Sequence, residues 1–549
     1  MGNILNPGPE NSFTRIVKHK DTDIFVDKTD FIEIMISKID AERRFFAITR
    51  PRRFGKTITA HMLSAFFSKG FEGYNIFDGL KISYNSNFRQ YLNQYNVLYI
   101  DMNTIDGLFD GYIAKSQKVE GVNDLSDFLE YSVISELKLK PEFAKCLADH
   151  KIENTGLMES LIKIKNDLGT KFIFIMDEWD LIYREYRDNE LLQKKFIKLL
   201  KNLFKSDGGQ DCFHLGYLTG ILPIKKYNSQ SALNGFKEYN MLSPEPFEKY
   251  FGFTEEEVNQ IVKSPGCSLS YQELKDWYEG YRLNGTDIFN PNSVVSAIAD
   301  GKCKGFWSGT SSNEEVVRLI NLNFKGIKSD IIKLLDGLKL PFRSDGFQND
   351  MTSISNKNDV YCLLVCLGYL GCTTTDNSKK LAYVPNHEIR QFLLSLVSGQ
   401  KWSQRMDAIK RSATLLSAIT KKQDSKTVAM IIEEIHNSSA VSLLNYNTEE
   451  SLTYCVMTGL QWATLDDYSS HREDQAGKGR TDLVYEPDNP EAPLIIIEFK
   501  YGRSAETALK QIKSREYYKR YRRQYRNIIL VGINYNKSTK EHQCVIEKL

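Results

Sequence analysis

The sequence predicts an α/β protein in three parts: an N-terminal layer of parallel strands joined by helices (1–245), a mainly helical middle region ending in a linker (246–426), and a compact C-terminal α/β unit (427–549). Three observations predict it. Over the first 245 residues, the β-rich apolar runs RRFFAIT, NVLYIDM, KFIFIMDEWD and FHLGYLTGI alternate with helical patterns, as parallel strands joined by crossover helices do. From about Pro246 to Ile419 the pattern turns helical, with aromatic-rich pieces such as LKDWYEGYR and a GYL turn ahead of VPNHEIRQFLLSLV. The polar stretch TKKQDSK (420–426) then reads as a linker, followed by a helix, two β-type runs and a basic helix.

Composition bounds the possibilities. A chain of 549 residues is too long for one hydrophobic core, and 41% hydrophobic with 26% charged residues is the balance of a globular protein. The formal charge of +2 cannot by itself steer the chain to nucleic acid, so any such attraction must come from a local patch. Nine scattered cysteines without CxxC pairs argue against a disulfide framework or a zinc site; Cys362, Cys366 and Cys372 lie in the apolar run YCLLVCLGYLGC and read as core. No apolar run approaches the roughly 18 residues of a membrane span, and MGNILNPGPENSF lacks a basic-then-apolar signal. The expectation is an intracellular protein, cytoplasmic or nuclear, with no membrane partner.

The first strand leads into RPRRFGKT and then ITAHMLSAFF, a strand, loop and helix in the order a phosphate-binding loop requires. Lys56 would reach the β- and γ-phosphates, Thr57 would hold magnesium through its hydroxyl, and Gly55 with neighbouring N–H groups would cradle phosphate oxygens at the helix start; Arg52 and Arg53 count with the nucleotide-binding set. Arg50 replaces the first glycine of GxxxxGK[ST], so the match rests on Gly55, Lys56, Thr57 and their context. The strand KFIFIMDEWD places Asp177 and Glu178 at its end, Asp177 to bind magnesium and Glu178 to polarise the attacking water. Thr219, near the end of FHLGYLTG, is a candidate sensor of the γ-phosphate. NKND (356–359) resembles the guanine-reading NKxD, but it follows the polar MTSIS rather than an apolar strand; a turn or helix cap fits better, and ATP is preferred to GTP.

In the last unit, GRTDLVY and PLIIIEFKY flank the turn-rich EPDNPEAP and form a hairpin-like pair. Strand alternation puts Glu498 and Lys500 on one face and Ile497 and Phe499 on the other, with Asp482 on the adjoining strand beside Glu498. Such charges on a buried strand are hard to justify by stability alone, although a face of salt bridges is the bland alternative. Asp482 and Glu498 could hold magnesium, and Lys500 would oppose the charge that develops on a phosphodiester. From Lys500 to Arg526 there are ten Lys or Arg against two Glu, a local balance of +8, with Tyr501, Tyr517, Tyr518, Tyr521 and Tyr525 interleaved. The basic groups suit phosphate contacts and the tyrosines offer flat groups for stacking bases, against the plainer reading of a solvated helix face. Gln511 projects from this helix towards the acids.

FVDKT (25–29), TRPRRFGKT (49–57), DEWD, LTGI (218–221), FGFTEEEV (251–258), WYEGYR (277–282), FNPNSV (289–294), GYL (368–370), VPNHEIR (384–390), GRTDLV (479–484) and IIEFK (496–500) together resemble the AAA-ATPase-like family whose members carry a C-terminal PD-(D/E)XK nuclease-superfamily domain. The resemblance implies a P-loop NTPase of AAA or STAND-like kind fused to a restriction-endonuclease-like α/β domain. It assigns Lys56 and Thr57 to Walker A, Asp177 and Glu178 to Walker B, Asp482, Glu498 and Lys500 to the D…ExK set, and Gln511 to the glutamine that accompanies it. It also implies an acid on the first nuclease helix, with Glu450 the candidate metal ligand and Glu449 equally eligible, and it makes Arg50 ordinary at its position. The leading expectation is an ATP-hydrolysing protein with a Mg2+-dependent nuclease, Mn2+ being an alternative ion there, gated by nucleotide state. DNA is favoured over RNA as partner, and self-association through the ATPase domain is a further expectation. The competing expectation is a regulatory or scaffold ATPase whose nuclease-like domain only binds or is inactive.

Overall fold

The computed structural model describes residues 10–307, 354–397, 410–436 and 449–549, short interruptions apart, together with scattered positions between 316 and 347. Phe45–Thr49 (β1) is buried at every position, as are Phe172–Asp177 (β3) and nearly all of Phe213–Gly220 (β4). Runs that are apolar without alternation become strands here because both faces of the sheet are covered. With Asn96–Asp101 (β2) and Lys237–Tyr239 (β5) they form a five-stranded parallel sheet of order β2-β3-β4-β1-β5. Parallel strands send all their carboxyl ends to one edge, so Thr49, Asp101, Asp177 and Gly220 finish on the same side. From there the chain leaves β1 for the loop before helix Lys56–Phe67 (α1). The four long runs are the strands expected; β5, whose KEY has no apolar signature, was not.

The chain divides into two compact units, residues 1–324 with 333–393, and 325–332 with 394–549. In the first unit, the helices beyond residue 250 include Pro291–Asp300 (α2) and Lys357–Leu367 (α3), and the division between the units falls within His387–Val397 (α4). Interspersed are two antiparallel three-stranded sheets that the helical pattern concealed, one of Phe253–Thr254, Tyr281–Leu283 and Thr286–Phe289, the other of Leu340–Phe342, Gly371–Thr374 and Lys380–Tyr383. Asn356 caps α3, its side chain accepting from the Asn358 and Asp359 N–H groups in a capping box with Asp359, so NKND is a helix start. Cys362 and Cys366 are buried on that helix.

The second unit is built on a five-stranded sheet running in chain order: Tyr468–Ala476 (β6), Gly479–Pro487 (β7), Leu494–Tyr501 (β8), Ile528–Asn536 (β9) and Glu541–Lys548 (β10). All neighbours are antiparallel except β8 and β9, whose parallel pairing requires a crossover, supplied by helix Ala505–Ser514 (α7). Alternation sorts the strand residues. Ile495, Ile497 and Phe499 join the core with helices Ser425–His436 (α5) and Glu449–Thr464 (α6), whereas Leu494 and Ile496 face Leu509 and Ile512 of α7. Among the described residues no helix is long and apolar enough to cross a membrane.

Candidate functional site

At the end of β1, Arg50 turns away from the loop that follows. It is wholly buried, donates from Nη1 to the Thr49 and Tyr239 carbonyls at 2.9 and 3.3 Å and from Nη2 to the Phe247 carbonyl at 3.4 Å, and lies 5.3 Å from the Phe251 ring. It ties β1 to β5 and to the chain beyond, which explains why a large side chain can stand where the motif wants glycine. Its pKa is pushed down to about 10 by burial.

Left-handed backbone at Arg53 (φ 67°) and Gly55 (φ 87°) curls the loop before α1 begins. The Lys56 ammonium, 4% exposed, spans the loop to the Pro51 carbonyl at 2.9 Å; burial lowers its pKa, with Glu178 and Asp177 opposing. The Thr57 hydroxyl is hydrogen-bonded to the Asp177 carboxyl, which burial first and Glu178 second raise to about 7. Glu178 itself has φ 53°, donates its N–H to Asp177 Oδ1 at 3.0 Å, and is hydrogen-bonded by Arg184.

Arg52, Arg53, Gly55, Lys56, Thr57 and Glu178 line one cavity of about 970 Å3 whose other walls include Ile24, Phe25, Tyr250, Phe253 and Ile298. A polar end and an apolar end in one cleft suit a molecule with a phosphate tail and a flat base. Asp177 reaches this site through Thr57. Thr219 is not brought to it: fully buried, it donates to the Ile48 carbonyl at 2.9 Å and is absent from the cavity wall.

The short motifs beyond residue 250 meet this loop. Phe54 packs edge-on against Tyr281, ring centres 5.1 Å apart, and a Cβ on Gly368 would stand 2.7 Å from the Pro51 ring. Arg53 donates to the Phe306 carbonyl at 2.5 Å, while buried Glu388 accepts from the Phe306 and Trp307 N–H groups at 2.6 and 3.0 Å and from the Ser293 hydroxyl at 2.8 Å.

In the second unit, the Asp482 carboxylate accepts the Phe499 N–H at 2.7 Å, which fixes it beside the next residue back, Glu498. Glu498 is 1% exposed and Lys500 8%. Lys500 Nζ lies 3.2 Å from Glu498 Oε1 and 2.6 Å from the Phe499 carbonyl, and the Gln511 amide donates to the same Glu498 oxygen. Burial first, and Asp482 second, raise the Glu498 pKa to about 7. Asp482, Glu498, Lys500 and Gln511 are therefore together. The other oxygen, Glu498 Oε2, is buried with no hydrogen-bond partner among the described residues.

Among the described residues no group of three or more His, Cys, Asp or Glu gathers as a metal site. Two acids with one unmet buried oxygen nonetheless fit a hard divalent ion that keeps several of its own waters. Of the two acids on α6, Glu449 lies 4.0 Å from Lys500 and is half exposed; the Glu450 side chain lies outside the described residues.

The basic stretch corrects one expectation. Its helix stops at Ser514, broken by the left-handed Glu516, and Tyr517, Tyr521 and Tyr525 are 2, 4 and 3% exposed, packed under the sheet with Ile512. Their spacing of four serves the core, and they offer no stacking face to bases. Lys510, Arg515, Arg520, Arg522, Arg523 and Arg526 remain exposed.

Sequence reasoning missed Asp180, Arg184 and Gly532. Asp180 is 0% exposed and accepts from the Ile221 and Leu222 N–H groups and from Arg184, pinning the LTGI turn; its spacing of four from Arg184 was the available signal. Gly532, opposite Glu498 in the β8–β9 register, interrupts the apolar run at the start of that strand.

A family model described as a predicted AAA-ATPase matches residues 10–228, and a PD-(D/E)XK nuclease superfamily model matches residues 448–544. An uncharacterized protein in the vnfD 5′ region of Azotobacter chroococcum mcd 1 is 24% identical over 306 residues, 55% of this chain and 54% of that protein; the chain spans about half the length of this relative. Among solved structures, the Aeropyrum pernix ORC2 protein in its ADPNP–ADP complexes is similar with a TM-score of 0.27 at 10% identity, over 71% of this chain and 98% of that one. Drosophila ORC bound to AT-rich DNA and Cdc6 gives a TM-score of 0.15 at 11% identity, over 70% and 93% of the two chains.

Proposed function

We propose that this chain, which joins an AAA-ATPase-like domain to a C-terminal PD-(D/E)XK nuclease-superfamily domain, binds and hydrolyses ATP in the first and cuts nucleic acid, DNA in preference to RNA, with the second. The observation that carries the reading is the recurrence, in each unit, of a buried lysine beside a carboxylate pair at the end of a sheet: Lys56 with Asp177 and Glu178, and Lys500 with Asp482 and Glu498. A buried acid whose pKa is raised by a second acid beside it, as Asp177 and Glu498 are, weakens a fold unless a cation answers it, and that is the chemistry of phosphoryl and phosphodiester hydrolysis.

In this reading Arg52, Arg53, Gly55 and Lys56 take the phosphates, Thr57 and Asp177 hold magnesium, and Glu178 orients the attacking water. Asp482 and Glu498 would hold Mg2+ or Mn2+, with Glu449 or Glu450 a further ligand. The ion would acidify a water and polarise the phosphodiester. Lys500 counters charge on the scissile phosphate, and Gln511 keeps Glu498 aimed. The exposed Lys and Arg of 510–526 take the nucleic-acid backbone. The division at residues 245 and 426, self-association through the ATPase domain, and gating of cleavage by nucleotide belong to the same proposal; the contacts of Arg53 and Pro51 with the chain beyond residue 300 support the gating.

Plasmid and labelled RNA, incubated with the purified chain and Mg2+ or Mn2+ with and without ATP, test this. Asp482→Ala should abolish cutting and leave ATP turnover intact, and Lys56→Ala should alter the nucleotide dependence of cutting. No cleavage under any condition removes the nuclease reading. Equal cleavage with and without ATP in wild type and Lys56→Ala removes the gating.

A further inference from the structure

Arg184 stands six residues beyond Glu178, outside every motif, on the short helix Leu181–Glu185. Its side chain is only 9% exposed and contacts three acids: Nε donates to Asp180 Oδ2 at 3.0 Å, Nη2 donates to Glu178, and Nη1 lies 3.5 Å from Glu185. The three arms are not equivalent. Asp180 is fully buried and held by the Ile221 and Leu222 N–H groups at 3.2 and 2.8 Å, so the Nε arm is pinned to the body of the domain. The Nη2 arm lies at the cavity, whose wall Arg184 shares with Glu178, Lys56 and Thr57. One guanidinium therefore links a fixed anchor to the carboxylate assigned to the attacking water.

We propose that Arg184 is a positioning residue that holds Glu178 in an ion pair until a triphosphate enters, then turns to the terminal phosphate and releases the Glu178 carboxylate. The inference rests on the reading of this cavity as an ATP site. A terminal phosphate bears more negative charge than a carboxylate and accepts the same planar fork of donors, so the exchange replaces one charge-assisted pair by another. Asp180 retains the pivot throughout. ADP lacks the γ-phosphate that would compete and leaves the pair closed, so Arg184 separates the two nucleotides as well as releasing the acid.

The test measures equilibrium binding of ADP and of a slowly hydrolysed ATP analogue, with steady-state ATPase kinetics, on the full chain as wild type, Lys56→Ala, Arg184→Ala and Arg184→Lys. Arg184→Ala should keep ADP affinity within about twofold and lose about tenfold or more of the preference for the ATP analogue, the scale of one hydrogen bond to a charged group. Its kcat should fall more than its KM rises. Arg184→Lys, a point charge that cannot bridge two acids, should lie between wild type and alanine, and it carries the test if the alanine variant does not fold. Unchanged preference and kcat in the variant that folds, or equal loss of both nucleotides with a lowered melting temperature, overturns the inference. Wild type binding neither nucleotide fails the ATP reading and the inference with it. Wild type binding both, Lys56→Ala binding neither, and Arg184 variants unchanged fails the inference alone.

Discussion

A single methyl group at position 532 should separate Gln511 from the acid it holds. A Cβ built on Gly532 would stand 2.3 Å from the Ala505 carbonyl and 2.9 Å from the Leu509 nitrogen, against about 3.4 Å where ordinary contact begins. Both are backbone atoms of α7, so no side chain can rotate aside. The helix must retreat by about 1 Å, or β9 must bow. Overpacking of this kind costs about 1–3 kcal/mol, and for a unit of this size each kcal/mol lowers the melting temperature by about 2–4 °C. Gln511 rides on the same helix, two residues past Leu509, and a shift of that size opens its hydrogen bond to Glu498. Misplacement by about 1 Å can lower a rate a hundredfold. Calorimetry of Gly532→Ala and nicking of supercoiled plasmid with Mg2+ give the two readouts. A variant that melts within about 1 °C of wild type would refute the wedged packing of α7. One that melts lower but cuts normally would refute the positioning of Glu498 through that helix.

Two other perturbations test the account elsewhere. Restoring the motif glycine with Arg50→Gly should destabilise the first unit by about 3 kcal/mol or more, through a large cavity added to three deserted carbonyls, whereas Arg50→Met, which deserts the same carbonyls and removes the same buried charge but fills the space, should cost less by chemical denaturation; equal stability of wild type and the glycine variant would refute the buttress. His542, hydrogen-bonded to His436 at 2.7 Å, has its pKa lowered from 6.5 to about 4 by burial and then by His436, so the stability it supports is full above about pH 6.5 and is lost as pH falls towards 4, by up to about 3 kcal/mol. Glu498, its pKa raised to about 7, works in the opposite sense over the same span, so the readout is the difference: calorimetric scans from about pH 7.5 to 5 should show the second unit of wild type losing stability relative to that of His542→Gln as pH falls, and an identical pH dependence in both proteins would contradict the assignment.

What could be read from the sequence follows from the range of the forces involved. β1 to β4, Asn356 as a helix cap, and the shared face of Glu498 and Lys500 were legible because apolar runs, caps and strand alternation are decided within a few residues. The strand β5 was hidden because its KEY is held by pairing with β1 rather than by its own propensity. The tyrosines of 517–525 misled for a related reason: alternation with Lys and Arg looks the same whether the rings face solvent or core, and only the sheet beneath them decides. Thr219 looked apt at a strand end, but the neighbouring β1 carbonyl of Ile48 takes its hydroxyl. Arg184 and Asp180 were silent because an ion pair on one helical turn usually belongs to the surface, and its burial depends on the LTGI turn folding over it.

The two sites meet one electrostatic problem with different completeness, since each has a basic side chain of its own against an acid. Asp177 and Glu498 are each driven to about pKa 7 by burial beside a second acid, so each leaves its unit less stable at neutral pH than an uncharged residue of the same shape would. At the first site a cation within the chain answers part of the charge, since Arg184 takes Glu178 and is itself held by Asp180. At the second, Lys500 and Gln511 both serve Oε1 of Glu498 and leave Oε2 buried without a partner among the described residues. On the proposed reading the Arg184–Glu178 pair would have to open before chemistry began, which would suit the first site to conditional activity. A buried oxygen without a partner among the described residues would be answered by a cation from outside, and on the proposed reading that would tie the second site to the supply of a divalent ion.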